Sequence, residues 1–237
     1  MPSPRFILIL LTTFFNMKRV LRRFVVLFVS ADCWIVAKGY RLYYYYPVTH
    51  KLSRFSVLKD AKNVLLASFR LSRRLYRAEI THLYHFQNDT WMCVAKKALF
   101  VYNKDGGLFE KCCDIEKGSR PMNLCQAKDD TIYWGEYFNN HKKYPVRIFQ
   151  SKDNGNTWSV AYTFQKGEIE HIHGIFQDPY NGRLWVATGD DDASCIFGYT
   201  NDGFKTFVRE YSGSQQYRVC VPLFTPEEIV FATDSQY

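Results

Sequence analysis

His171 and His173 stand two residues apart in the run His171-Ile172-His173-Gly174-Ile175-Phe176, which reads as a strand. Strand alternation therefore points both imidazoles to one face. Such a pair suits a metal ion if Asp190 or Glu136 joins it. The reading adopted is a hydrogen-bonded histidine pair, with no metal and no cofactor expected. Glu136 and Asp190 are the two acids placed to work together as a catalytic carboxylate pair. Other polar groups fall at matching strand ends: Arg77 and Glu79, Arg120 and Asn123, Arg218, and the acids Asp191 and Asp234, with Lys38 and Lys96 at the equivalent ends earlier in the chain. Gathered at one rim, they would form a polar funnel suited to a sugar or another polar ligand. The same charges also suit plain salt bridges between neighbouring elements.

The elements that must position these groups are short. Beyond residue 20 the chain is a series of runs of four to eight residues rich in Val, Ile, Tyr, Phe and Trp, broken by clusters of Asp, Asn, Gly and Lys. Trp34-Ile35-Val36-Ala37-Lys38 is echoed by Trp91-Met92-Cys93-Val94-Ala95-Lys96. Likewise Thr131–Glu136 is echoed by Leu184–Asp190 and Ile229–Asp234. Four strands repeating at such a period predict the blades of an all-β propeller. Innermost strands are expected near 24–29, 79–86, 122–127, 169–176 and 217–224, with the fifth unit reduced to a second strand at 228–233. This makes an incomplete propeller of about four and a half four-stranded blades over 23–237. Residues 60–77 interrupt the pattern with a basic amphipathic stretch, expected as a short helical insert that could contact a protein partner. Residues 1–22 are set apart as an N-terminal extension, with Met17 an alternative start.

Residues 1–77 hold 15 basic and 2 acidic side chains against 16 and 21 in the remainder, so the net charge of +8 is an N-terminal property. That distribution argues against a protein-wide nucleic-acid surface. The apolar run Phe6–Phe15 is too short to span a bilayer and has its basic residues behind it, unlike a secretory signal. A weak signal or membrane-surface anchor is the competing reading of this segment. The seven cysteines contain no CxxC pair and sit mostly in apolar runs, which predicts buried thiols and a cytoplasmic protein.

Ser151-Lys152-Asp153-Asn154-Gly155-Asn156-Thr157-Trp158 matches the Asp-box, S-x-D-x-G-x-T-W, at every defined position. A degraded copy follows 49 residues later, with Thr200, Asp202, Thr206 and Phe207 in register and Phe204 in place of the glycine. Asn103-Lys104-Asp105-Gly106-Gly107 is a third trace. The chain thereby resembles BNR/Asp-box proteins of the sialidase-like β-propeller superfamily. Arg120–Leu124, Gly135–Asn140, His171–Gly174 and Thr188–Asp190 extend the resemblance to uncharacterised bacterial members. The resemblance implies that Ser151, Asp153, Gly155, Thr157 and Trp158 build a structural turn, since Ser and Asp side chains can bond backbone amides there. The sialidase catalytic set has no match: the F/Y-R-I-P segment is missing, and Arg77, Arg120 and Arg218 only imitate its arginine cluster. The expected function is therefore binding of a polar or glycan ligand at the central channel, without established catalysis. A glycoside hydrolase acting through Glu136 and Asp190 is the alternative, and a protein-interaction scaffold the second.

Overall fold

In the second, third and fourth repeats the second strand is the most continuously apolar in sequence, and in the structure it is the most deeply buried. The computed structural model describes residues 20–59, 70–76 and 78–235. Sheet one comprises β1 (Val25–Val29), β2 (Trp34–Lys38), β3 (Arg41–Tyr46) and β4 (Lys51–Val57). After a short helix α1 (Arg70–Leu75), sheet two follows as β5 (Ile80–His85), β6 (Trp91–Ala95), β7 (Ala98–Asn103) and β8 (Leu108–Asp114). Sheet three is β9 (Leu124–Gln126), β10 (Ile132–Gly135), β11 (Val146–Ser151) and β12 (Ser159–Phe164). Sheet four is β13 (His171–Gln177), β14 (Leu184–Gly189), β15 (Ile196–Thr200) and β16 (Val208–Ser212). A pair, β17 (Val219–Phe224) and β18 (Ile229–Thr233), comes last. Spatial order within each sheet is chain order, and the pairing is antiparallel.

All four residues of β10 and all six of β14 are buried, whereas all five of β16 are exposed. A strand covered on both faces must be apolar at consecutive positions, so β14 reads as an unbroken run and not as an alternation. Of the expected helical insert, Arg70–Leu75 is a helix, while 60–69 and 77 lie outside the described residues.

The chain divides into two compact units. The first contains sheet one and part of sheet two, with an aromatic cluster in which Phe55 meets Trp91, Tyr102 and Phe109. The second contains sheets three to five. Its larger core joins Val146, Ile148 and Phe164 of sheet three to Ile172, Ile175 and Val186 of sheet four, and its smaller core joins Trp185 and Phe197 to Val219 of β17. Strands β9, β13 and β17 each open their sheet, and β13 packs against both of the others. The seven cysteines form no disulfide; Cys93, Cys125 and Cys195 are buried as expected, whereas Cys33, Cys112, Cys113 and Cys220 are partly exposed, and burial pushes Cys112 and Cys125 up to about 12.

Two turns from third to fourth strand share one bonding scheme. In the first, Ser151 Oγ accepts from Gly155 N (2.8 Å) and donates to Asp153 Oδ1 (2.7 Å), while Asp153 accepts from Thr157 N (2.8 Å) and Thr157 Oγ1 (2.6 Å). In the second, Thr200 Oγ1 accepts from Phe204 N (3.0 Å) and donates to Asp202 Oδ1 (2.8 Å), and Asp202 accepts from Thr206 N (3.0 Å) and Thr206 Oγ1 (2.8 Å). Both turns hold two successive residues at positive φ: Asn154 and Gly155 (60° and 85°), then Gly203 and Phe204 (68° and 71°). Phe204 keeps the glycine's left-handed backbone, and its buried ring packs on Tyr133.

The Thr206 backbone and hydroxyl donors hold the Asp202 carboxyl down to about 2, from 3.8. A depressed folded-state value adds stability above the unfolded value, and that stability is lost as pH falls through the folded one. The melting temperature of the wild type is expected to drop as pH falls from 3.8 to about 2. In Asp202→Asn the drop should be shallower and should start from a lower melting temperature at neutral pH, as a calorimetric pH series would show.

Candidate functional site

The register of sheet four fixes which groups meet. His171 pairs with Gly189 at one end, while Gln177 pairs with Leu184, and Leu184 with Thr200, at the other. The start of β13 and the end of β14 therefore share an end of the sheet, and the Thr200 turn lies at the opposite one. Asp190 follows β14 directly and Arg218 directly precedes β17, so both are delivered to the histidine end.

The four side chains converge. His171 Nε2 and His173 Nε2 are 3.2 Å apart. Asp190 sets Oδ1 3.1 Å from His173 Nε2 and Oδ2 3.4 Å from His171 Nε2. Arg218 Nη2 donates to Asp190 Oδ1 at 2.7 Å and lies 3.5 Å from Asp234 Oδ2. Both imidazoles are buried, whereas the Asp190 side chain is 40% exposed. The cluster is thus reached from the carboxylate side.

Its support is backbone and ring. His171 Nδ1 lies 3.2 Å from the Phe138 carbonyl, and the Tyr137 ring meets His171 edge-on with centroids 4.5 Å apart. Gly189 is required by close approach, because a Cβ there would stand 2.4 Å from Cε1 of His173. Burial, reinforced by the neighbouring His171, lowers the His173 pKa and favours the neutral ring. Burial pushes Asp190 up, but His171, Arg218 and His173 outweigh it and keep the carboxyl below its ordinary value. The result is a fixed carboxylate beside two close imidazole nitrogens, a combination suited to holding a polar or cationic group.

The remaining groups singled out from the sequence have other attachments. Glu136 is buried and accepts from Arg147 N (2.8 Å), Nε (3.0 Å) and Nη2 (2.7 Å), with Lys117 Nζ 3.6 Å away. Its carboxylate is consumed by Arg147, and the structure sets it in a different cluster from Asp190. Asn123 donates to Ile175 O (2.7 Å) and accepts from Ile175 N (3.0 Å), so it ties the approach to β9 onto β13. Asp191 caps the turn Asp192–Ser194 through Ser194 N and pairs with Lys143 at 2.9 Å. Glu79 pairs with Arg73 at 3.3 Å, Arg120 is exposed, and Arg77 lies outside the described residues. Sequence reasoning missed Tyr137, Phe138, Gly189 and Arg147. None of these carried a usable signal: Arg147 stands across the β10–β11 ladder from Glu136, whose N–H bonds the Arg147 carbonyl, but the loop between the two strands hides that register in the sequence.

No protein-family model matches the chain, and comparison with the curated proteins gives no match either. Among solved structures, it is similar to the extracellular domain of a proposed one-component system from B. thetaiotaomicron, at 15% identity and a TM-score of 0.54 over 89% of this chain. The chain spans 26% of that protein's length. It is also similar to YCF48 bound to D1 peptide, with 10% identity and a TM-score of 0.54 over 88% of this chain and 61% of that one. A chain of a nidogen/laminin complex gives 10% identity and a TM-score of 0.52 over 88% and 70%. These relatives are β-propellers, and the sheets described above are propeller blades.

Replacing Glu136 by Gln removes the buried carboxylate from Arg147, whose side chain is 26% exposed and keeps Glu116 at 2.7 Å, at a cost of about 2 kcal/mol. Chemical denaturation is expected to show that loss for Glu136→Gln, with the His171–Asp190 cluster undisturbed in NMR spectra of the histidine rings.

Proposed function

We propose that this chain is a sialidase-like, Asp-box propeller that binds a polar ligand of the glycan type at the His171, His173, Asp190 and Arg218 end of sheet four. The observation that carries the reading is the convergence of four polar side chains, from β13, β14 and the approach to β17, at one end of the sheet. The two Asp-turns, which support the Asp-box assignment by their shared bonding, lie at the other end and have a structural role. A sugar offers vicinal hydroxyls to a carboxylate and a guanidinium that are already held in place, so little ordering entropy opposes binding. Hydrolysis through Glu136 and Asp190 receives no support, because Glu136 is saturated by Arg147.

Glycan-array binding by the full chain tests this. Asp190→Asn and Arg218→Gln should each weaken binding at least about tenfold, the loss of one charge-assisted hydrogen bond. Asp153→Asn should lower the melting temperature and leave array binding in place. Loss of binding in Asp153→Asn alone, or a blank array with the wild type, would overturn the assignment.

A further inference from the structure

The two imidazoles of the cluster present their Nε2 atoms to each other and to a carboxylate, and this arrangement decides where their protons lie. A carbonyl oxygen can only accept, so the contact of His171 Nδ1 with Phe138 O puts the ring proton on Nδ1 and leaves a lone pair on Nε2. His173 Nε2 faces that lone pair at 3.2 Å and Asp190 Oδ1 at 3.1 Å. Its single proton is thus shared between two acceptors. His171 Nε2, the carboxylate and, after a tautomer shift, His173 Nε2 form three lone-pair donors around one point.

We infer that His171 Nε2, His173 Nε2 and the Asp190 carboxylate form a binding site for a divalent transition-metal ion of the Zn²⁺ class. The inference rests on the reading of this cluster as the ligand site and adds what the ligand meets there. A tetrahedral ion with bonds of about 2.0–2.1 Å separates its donors by about 3.3 Å. The two Nε2 atoms are 3.2 Å apart, the length of one edge of such a tetrahedron, and Asp190 brings Oδ1 to 3.1 Å from His173 Nε2 and Oδ2 to 3.4 Å from His171 Nε2, so a small turn of the carboxylate sets one oxygen at the third corner. Two imidazoles and one carboxylate are a donor set that suits zinc and its neighbours and leaves a coordination position free.

The surroundings fit the same purpose. The Phe138 carbonyl orients His171 as outer partners of metal-bound histidines do, and the Tyr137 ring packs against it. Gly189 leaves room for the His173 ring. Arg218 engages Oδ1 of Asp190, and Oδ2 is the oxygen nearer His171. With Asp234 as a second acid on the same guanidinium, the local charge before metal uptake is −1, favourable to a cation. On binding, the proton of His173 moves from Nε2 to Nδ1 and the ion takes its place between the donors. The free position faces the exposed Asp190 side, where it could take a ligand hydroxyl.

The test uses the full chain stripped with a chelator and titrated with Zn²⁺ against a chromophoric competitor, with Co²⁺ as a spectroscopic probe. One equivalent of Zn²⁺, a raised melting temperature and the visible absorption of tetrahedral Co²⁺ are expected. His173→Ala and His171→Ala should abolish all three, and Asp190→Asn should weaken affinity at least about tenfold, serving as the reporter if an alanine variant does not fold. His141→Ala, which changes an exposed histidine paired with Glu170 and outside the three donors, should leave them intact. No stoichiometric uptake by the wild type, or uptake lost in His141→Ala and retained in His173→Ala, overturns the inference. Glycan binding by a wild type that takes up no Zn²⁺ overturns the metal site and leaves the proposed function standing. Zn²⁺ uptake with a blank glycan array does the reverse.

Discussion

The burial of the second strand on both faces is the constraint from which the rest of this architecture follows. β14 puts six consecutive residues out of water, and no single sheet can do that alone. At roughly 25 cal/mol per Å² of apolar surface, exposing one face of such a strand would cost several kcal/mol, a large part of the stability of a typical domain. Sheets three and five supply the cover for sheet four through Val146, Ile148 and Phe164 on one side and Val219 on the other. That packing sets β9, β13 and β17 side by side. The ends of three sheets are thereby forced together, and any polar group carried there becomes a neighbour of the others whether or not it is near in sequence.

The cluster at that end is held by a glycine, a ring and a backbone carbonyl, none of which brings a charged side chain. Gly189 makes the space, the Tyr137 ring fixes a wall, and the Phe138 carbonyl sets a tautomer. Asn123, by contrast, is a polar residue whose side chain is spent on the Ile175 backbone, fastening one first strand to the next. Position at the rim is therefore a poor guide to role. What distinguishes Asp190 from Glu136 is the fate of the carboxylate oxygens, open on one side in the first and filled by Arg147 in the second.

Much of the fold was legible because each strand announces itself through local composition, and the turns through residues whose side chains bond their own backbone. The sequence of Ser151 to Trp158 alone places it at a third-to-fourth strand turn, and the bonds of Ser151 and Asp153 are the ones such a turn requires. Strand alternation and the matching of strand ends suggested bringing His171, His173 and Asp190 together; in the structure they meet, with an irregularity at His173 interrupting the β13–β14 register. The union of Glu136 with Arg147 was not recognised, because it depends on the β10–β11 register, which a ten-residue loop conceals. The attachment of Asn123 depends on how one sheet leans against another, for which no local signal exists.

The pair of Asp-centred turns also shows how far spelling and bonding can part company. In the second copy the glycine stands one place earlier, at Gly203, and a phenylalanine occupies the following left-handed position. The bonds to Asp202 survive this exchange, while the new ring fills a pocket against Tyr133. Two turns can therefore differ letter by letter and still share one hydrogen-bond wiring, so their likeness is better judged by which atoms bond than by which residues are spelled.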